Sequence, residues 1–198
     1  MPSLVVPFRG AKGKSRLDLF PGSARKALAL AMLDDVLSAC AAVGPTFVVG
    51  PARPEIAGVT VVHDPGGGQG AAVRAGLEAA ALASGGQGPF LVVNADLPCV
   101  TARDLLALAG AVPDEGLALC PAADGTTNAL ALSSLAVFSP VYGPGSAERF
   151  AALASSRVVE APNLVADVDT VADLGRLRGR LGPRTRSVLT ALRAGAAA

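Results

Sequence analysis

The chain has 198 residues, of which 51% are hydrophobic and 17% are charged, which excludes a disordered chain and predicts one packed domain over residues 1–198. The net charge of +1 and the aromatic content of 4% give no sign of a nucleic-acid binder. Apolar runs end before the length of about 18 residues that a membrane span needs, which predicts a cytoplasmic protein with no membrane segment.

In the first half of the chain, β-type runs alternate with Ala- and Leu-rich segments at helical spacing. The pattern predicts, in order, a strand at 4–8, a helix at 23–43, strands at 46–49 and 59–63, a helix at 69–83 and a strand at 90–93. A capping box formed by Thr101 and Asp104 predicts the start of another helix.

The second half continues this alternation. It predicts strands at 117–120 and 129–132, a short helix opened by Ser146, extended segments at 158–159 and 165–168, a helix capped by Thr170 and Asp173, and a last helix from Thr185. Strands buried on both faces and separated by helices predict a three-layer α/β/α sandwich with a mainly parallel, mixed sheet. Ligands should then lie beyond the C-terminal ends of the strands.

A cationic loop follows the first predicted strand. All three lysines of the chain lie within the first 26 residues, where Asp18 is the one acid. A basic turn that contains glycine can present N–H groups and ammonium charges to phosphates, although Phe8 stands where a P-loop requires glycine. The alternative is a basic surface loop without a ligand. The candidate nucleotide-binding residues here are Arg9, Lys12, Lys14, Arg16 and Lys26.

A second glycine-rich turn runs from Asp64 to Gly70 and leads into the helix that contains Arg74. Consecutive glycines let a ligand approach the backbone, because no Cβ intervenes. We therefore include Gly67 and Gly68 among the candidate nucleotide-binding residues, with a plain connecting loop as the alternative.

Three carboxylates are candidates for a metal site. Asp96 follows a buried strand, and Asp167 and Asp169 lie on one side of a predicted extended segment. If the two segments meet, the carboxylates repel one another unless cations neutralise them, and their hard oxygen atoms suit Mg²⁺ that carries substrate phosphates. The alternative for Asp167 and Asp169 is capping of the next helix.

Hydroxyl groups and glycines mark a possible anion site in the second half of the chain. The segment 125–128 contains Thr127 and Asn128, and the turn 142–146 contains Gly143 and ends at Ser146 ahead of a helix. Such a turn can bind a small acid or a phosphate. The alternative is a turn with a serine cap.

Four segments together resemble the 2-phospho-L-lactate guanylyltransferase family, also called CofC or FbiD, of deazaflavin coenzyme F-420 biosynthesis. They are 14–17, 94–98, 142–146 and 167–170, and they follow the family order over nearly the whole chain. The resemblance implies a nucleotidyltransferase domain of the glycosyltransferase-A type, the nucleotide-diphospho-sugar transferase fold. It also implies transfer of GMP from GTP to phosphoenolpyruvate, 2-phospho-L-lactate or a related three-carbon acid such as 3-phosphoglycerate, with release of pyrophosphate.

The resemblance also implies residue roles. It places Mg²⁺ at Asp96, Asp167 and Asp169, and the nucleotide phosphates at Lys14, Arg16 and Lys26, with Lys14 and Asp96 as the catalytic residues. It places the phosphorylated acid at Gly143, Ser146 and either Asn128 or Thr127.

Two other classes stay open on the sequence. One is another nucleotidyltransferase of the same fold, such as a molybdenum-cofactor guanylyltransferase or a sugar-phosphate cytidylyltransferase. Those enzymes usually open with a Gly-rich loop, whereas this chain has Pro7-Phe8-Arg9-Gly10. The other is a non-catalytic nucleotide-binding regulator. The sequence leaves a homodimer open as well.

Overall fold

The computed structural model describes residues 1–10, 20–52 and 54–195. Its strands are β1 (Ser3–Pro7), β2 (Thr46–Val49), β3 (Val59–Val62), β4 (Phe90–Val93), β5 (Gly116–Pro121), β6 (Thr127–Leu132) and β7 (Ser155–Val158). Within the described residues they form one seven-stranded sheet in the order β3-β2-β1-β4-β6-β5-β7. Strand β6 is antiparallel to β4 and β5, and the other neighbours are parallel, which confirms the predicted mixed sheet.

The helices follow the predicted alternation. They are α1 (Gly22–Ala41), α2 (Gln69–Ser84), α3 (Ala102–Gly110), α4 (Ser146–Ala151), α5 (Pro162–Val165), α6 (Val171–Arg176) and α7 (Pro183–Gly195), with a 3₁₀ helix at Leu135–Val137. None of the helices in the described part of the chain has the length and apolar character needed to cross a membrane.

The sheet separates two hydrophobic clusters, because successive side chains of a strand point to opposite faces. On one face, Leu4 and Val6 of β1 pack with residues of α1 and α3. On the other face, Val5 packs with residues of α2 and α4. This arrangement confirms the three-layer sandwich.

A third cluster joins α1 to the C-terminal helices, through Leu28 and Met32 on α1 and Leu174 and Leu189 on α6 and α7. Asp35 of α1 lies beside this cluster and is 6% exposed. Its carboxylate accepts hydrogen bonds from the backbone N–H groups of Arg184 (3.0 Å) and Thr185 (2.9 Å). Asp35 therefore caps the N-terminus of α7 from another helix.

We expect Asp35→Ala to lower the free energy of unfolding by about 1–3 kcal/mol, because two N–H groups at the start of α7 lose their charged acceptor. Urea denaturation measures this loss. The neighbouring Asp34 serves as the control, since it is partly exposed and its carboxylate lies 4.0 Å from the Arg184 guanidinium. Asp34→Ala should cost less than about 1 kcal/mol. Equal losses in the two variants would show that α7 does not depend on the cap.

The structure differs from the prediction at 165–168 and at several element ends. The segment 165–168 is not a strand, because Pro162 begins the short helix α5, which ends at Val165, and an irregular segment follows. The strand predicted at 158–159 is β7, which starts earlier and pairs with β5 although all four of its residues are exposed. The last helix begins two residues before Thr185, at Pro183.

Candidate active site

The segment after β4 is fixed to the neighbouring strand β6. The backbone N–H of Asn94 donates to the carbonyl of Asn128 (3.0 Å), and the Asn94 side chain donates to the carbonyl of Thr127 (3.2 Å). Asp96 follows two residues later and is half-buried. Its position at the C-terminal end of β4 is therefore set by the sheet.

The structure brings the segment 167–169 against Asp96. The N–H of Val168 donates to the carbonyl of Asp96 (3.0 Å), and the Val168 side chain is buried in the third cluster. Asp167 and Asp169 lie on either side of this anchor along the chain, and both are half-buried. The two segments that carry the predicted metal ligands are thus adjacent.

The carboxylates of Asp96 and Asp169 lie close enough to Asp167 to change its pKa. Burial raises the pKa of Asp167, and the charges of Asp96 and Asp169 raise it further, while a hydrogen bond from Asn128 acts in the opposite direction. No three His, Cys, Asp or Glu side chains among the described residues already form a metal-holding group. The carboxylates of Asp96 and Asp169 nevertheless supply hard oxygen atoms, the type of ligand that Mg²⁺ prefers.

A cavity of about 360 Å³ opens beside Asp96, and we call it the carboxylate cavity. Both Asp96 and Asp169 line it, whereas Asp167 does not. Its other lining residues are Pro7, Phe8, Arg9, Gly10, Ala29, Met32, Gln69, Asn94 and Ala95. The cavity therefore lies beyond the C-terminal ends of β1 and β4, the edge at which the topology predicts a ligand.

The glycine-rich turn shapes the next part of the site. Gly68 has a φ of 96°, and a Cβ atom there would lie 3.3 Å from Nη2 of Arg9. Helix α2 begins at the following residue, and the Gln69 amide donates to Oδ1 of Asn94 (3.0 Å). The turn thus brings the Arg9 guanidinium to the start of α2, and the positive φ of Gly68 explains why glycine is needed at this position.

A second cavity, of about 670 Å³, lies on the α2 side, and we call it the arginine cavity. Its lining residues are Arg9, Gly67, Gln69, Gly70, Ala71, Arg74, Pro140, Tyr142 and Gly143. Arg9 and Gln69 line both cavities, so the cavities adjoin. No carboxylate of the described residues lines the arginine cavity, which makes it a cationic site next to an acidic one.

Gly143 is the one residue of the predicted acid-binding set that lines either of these two cavities. Thr127 and Ser146 are buried, and their hydroxyl oxygens lie 3.1 Å apart within hydrogen-bonding distance. Asn128 is also buried and donates to the carbonyls of Leu164 (3.0 Å) and Val165 (3.2 Å). These three side chains connect β6 to α4 and α5 instead of facing either cavity.

The predicted nucleotide-binding residues divide in a similar way. Arg9 lines both cavities and Gly67 lines the arginine cavity. Lys26 is exposed on α1, one turn before Ala29, and lines neither cavity. Lys12, Lys14 and Arg16 lie outside the described residues.

The sequence motifs indicate neither Gln69 nor Arg149, and they assign no role to Arg74. Arg74 lies one turn after Gly70 on α2, so helical spacing from the glycine-rich turn could have indicated its position. Arg149 of α4 donates to the carbonyls of Val141 (3.1 Å) and Tyr142 (3.3 Å) through Nη2 and to that of Pro144 (2.7 Å) through Nη1. It therefore holds the loop that carries Gly143, which no motif indicates.

Comparison with known proteins identifies the family. The family model of the MobA-like NTP transferase domain matches residues 26–194. The phosphoenolpyruvate guanylyltransferase of Sphaerobacter thermophilus is 37% identical and covers 88% of this chain and 91% of its own. The 3-phospho-D-glycerate guanylyltransferase of Phenylobacterium zucineum is 34% identical, with coverage of 98% and 97%. The 2-phospho-L-lactate guanylyltransferase of Methanosphaerula palustris is 32% identical, with coverage of 87% and 82%.

Solved structures agree with this assignment at the level of the fold. A protein from Desulfovibrio desulfuricans, described as a nucleotide-diphospho-sugar transferase, matches with a TM-score of 0.71 at 16% identity and covers 98% of this chain and 96% of its own. The 2-C-methyl-D-erythritol 4-phosphate cytidylyltransferase of Thermus thermophilus matches with a TM-score of 0.60 at 17% identity, with coverage of 95% and 98%. The chain thus has the predicted nucleotidyltransferase fold, and it belongs to the MobA-like NTP transferase family and, within it, to the phosphoenolpyruvate and 2-phospho-L-lactate guanylyltransferases.

Proposed function

We propose that this protein transfers GMP from GTP to the phosphate of a three-carbon phospho-acid and releases pyrophosphate. The observation that carries the proposal is the adjacency of the two cavities, one lined by Asp96 and Asp169 and the other by two arginines. The names of the relatives supply the candidate acceptors, which are phosphoenolpyruvate, 2-phospho-L-lactate and 3-phospho-D-glycerate. The resemblance noted above supports a place in coenzyme F-420 biosynthesis, and the use of GTP supports a cytoplasmic location.

In the proposed reaction, a phosphate oxygen of the acid attacks the α-phosphorus of GTP. The bond from the α-phosphorus to the oxygen that bridges to the β-phosphate breaks, and pyrophosphate leaves with that oxygen. Because an acid phosphate is already a nucleophile, the protein needs no activated serine or cysteine and has to position and neutralise two polyanions. Arg9 suits this task, since its guanidinium lies where the two cavities meet.

Mg²⁺ is part of the proposal. Asp96 and Asp169 would hold it, with Asp167 beside them, because these carboxylates are close enough to raise the pKa of Asp167. When bound there, Mg²⁺ would neutralise charge on the phosphates of GTP. The proposed nucleotide contacts are Arg9, Lys12, Lys14, Arg16, Gly67 and Gly68, with Lys26, which lines neither cavity, as a weaker one.

We place the phospho-acid in the arginine cavity, next to Gly143. Two guanidinium groups and no described carboxylate line that cavity, which suits a ligand that carries several negative charges.

We propose that residues 1–198 form one nucleotidyltransferase domain, because the described strands belong to one sheet.

A matrix of pyrophosphate-release assays tests the proposed function, with four nucleoside triphosphates against the three acids in the presence of Mg²⁺. We expect release that depends on the acid and is fastest with GTP. Thermal denaturation with and without MgCl₂ provides a second readout, in which Mg²⁺ should raise the Tm of the wild-type protein. A nucleotide-binding regulator would bind GTP in calorimetry without releasing pyrophosphate, and that result would exclude the proposal.

We expect Arg149→Met to raise the KM for the acid roughly tenfold, while the KM for GTP changes less than about twofold. The substitution removes the hydrogen bonds that hold the loop of Tyr142 and Gly143 at the arginine cavity, and each hydrogen bond from a charged donor contributes about 1.5–3 kcal/mol. Steady-state pyrophosphate release measures both constants. Arg157→Met, at an exposed position of β7, is the control. An unchanged KM for the acid would show that the loop keeps its shape without Arg149.

A further inference from the structure

We propose that Arg74 recognises the carboxylate of the acceptor acid and so selects phosphates that carry a carboxylate over those that lack one. This inference rests on the proposed function. The three acids in the names of the relatives each carry a carboxylate in addition to the phosphate that reacts. The carboxylate needs a cationic partner of its own, apart from the groups that neutralise the reacting phosphates.

Arg74 is placed for this role by helix α2 and an aromatic cluster. Its guanidinium carbon lies 5.3 Å from the centroid of the Phe138 ring. Phe138 lies 6.4 Å from Tyr142 and 6.4 Å from Phe150, measured between ring centroids. The Phe138 ring of this aromatic cluster therefore packs against the Arg74 guanidinium. Tyr142, in the same cluster, is followed directly by Gly143, and both residues line the arginine cavity.

The other polar side chains of the arginine cavity are engaged elsewhere. The Gln69 amide donates to Asn94, and Arg9 faces the carboxylate cavity as well. The Tyr142 hydroxyl oxygen is buried, and burial raises the pKa of the phenol, so it stays protonated and out of reach of a ligand. Of the two arginines that line the arginine cavity, Arg74 is therefore the one that does not also line the carboxylate cavity.

The charge of Arg74 is available to a ligand. No acidic side chain in the described ranges forms an ion pair with it, whereas the exposed Arg176 pairs with Asp173. A guanidinium presents parallel N–H groups that match the two oxygens of a carboxylate, which a lysine does not. The carboxylate of the acid is therefore assigned to Arg74. Its phosphate is assigned to the part of the site near Arg9, which lines both cavities.

The test compares two acceptors in wild type and in Arg74→Gln. One acceptor is 2-phospho-L-lactate, and the other is isopropyl phosphate, in which a methyl group replaces the carboxylate. In Arg74→Gln, we expect the KM for 2-phospho-L-lactate to rise roughly 10- to 100-fold, with no change in the KM for GTP and none in kcat/KM for isopropyl phosphate. Arg178→Gln, at an exposed position outside both cavities, should match wild type.

Two further variants separate charge from placement. Arg74→Lys should recover part of the loss, because it keeps the charge but not the fork of donors. Phe138→Leu should raise the KM for 2-phospho-L-lactate by about two- to fivefold, the effect expected for loss of a cation–π contact by the exposed Arg74 side chain. Equal losses with both acceptors in Arg74→Gln would overturn the proposal, and so would a rise in the KM for GTP alone, which would place the nucleotide in the arginine cavity.

Calorimetry distinguishes this proposal from the proposed function. Titration of 2-phospho-L-lactate into the enzyme with Mg²⁺ gives a Kd without turnover, and Arg74→Gln should weaken it by the same roughly 10- to 100-fold. This result would support the role of Arg74 even if wild type releases no pyrophosphate, an outcome that would refute guanylyl transfer alone. An equal Kd for wild type and Arg74→Gln, or no binding to wild type, would overturn the proposal.

Discussion

Replacing Asp96 by asparagine is expected to lower kcat for GMP transfer by at least about a thousandfold while the fold is kept. Asp96 lines the carboxylate cavity and is fixed at the end of β4, where the proposal places Mg²⁺ and the reacting phosphates. Asparagine has nearly the same shape, so the change removes a charge and little else. Initial rates of pyrophosphate release measure the loss.

Stability separates a role in the reaction from a role in folding. The charge of Asp96 raises the pKa of Asp167, which means that the two carboxylates repel each other in the folded protein. Removal of that charge should leave the Tm unchanged or slightly higher. Asp114→Asn, in an exposed turn after α3, is the matched control and should keep both activity and Tm. Transfer by Asp96→Asn at near the wild-type rate would remove Asp96 from the catalytic site.

Replacing Lys14 by alanine is expected to raise the KM and the Kd for GTP roughly 10- to 100-fold, since one charged donor to a phosphate is lost. Lys14 lies outside the described residues, so the expectation rests on its sequence position. The basic loop leaves β1 through Arg9 and Gly10, and both of these residues line the carboxylate cavity. Isothermal titration of GTP measures the Kd directly.

Lys26→Ala provides the comparison for Lys14→Ala, because it removes the same charge from a position on α1 that lines neither cavity. Its effect on the Kd for GTP should be smaller, below about threefold. If GTP binds to Lys14→Ala as tightly as to wild type, Lys14 does not contact the nucleotide. If Lys26→Ala shows the larger loss, the order of the two lysines in the proposed site is wrong.

Much of the fold was predictable because its signals are local. Alternation of β-branched runs with Ala- and Leu-rich segments predicted the layers, and the capping boxes at Thr101 and Thr170 predicted the starts of α3 and α6. The cap of α7 was not predictable from neighbouring residues, because it is Asp35, which lies in a distant helix. Strand β7 was misplaced for the same reason, since pairing with β5 decides its position although all four side chains are exposed and three of them are polar.

In the candidate site as well, features set by local sequence could be predicted and features set by tertiary contacts could not. Asp96 and Gly143 could be predicted, because a strand end and a glycine-rich turn place them at the ligand-binding edge of the sheet. The direction of a side chain is a tertiary property, however. All residues of β6 are buried, so Thr127 and Asn128 point into the protein although their chemistry suits a ligand. The role of Arg149 could not be predicted, because its hydrogen bonds go to backbone carbonyl groups, which every residue has.

Labelled GTP shows which of its phosphates is transferred to the acid. The measurement uses GTP labelled at either the α- or the γ-phosphate, with phosphoenolpyruvate and Mg²⁺, and separates the products by chromatography. We expect the α-label to move into a new compound that also contains the acid, and the γ-label to appear in pyrophosphate. Transfer of the γ-label to the acid, or retention of both labels in GTP with each of the three acids, would contradict it.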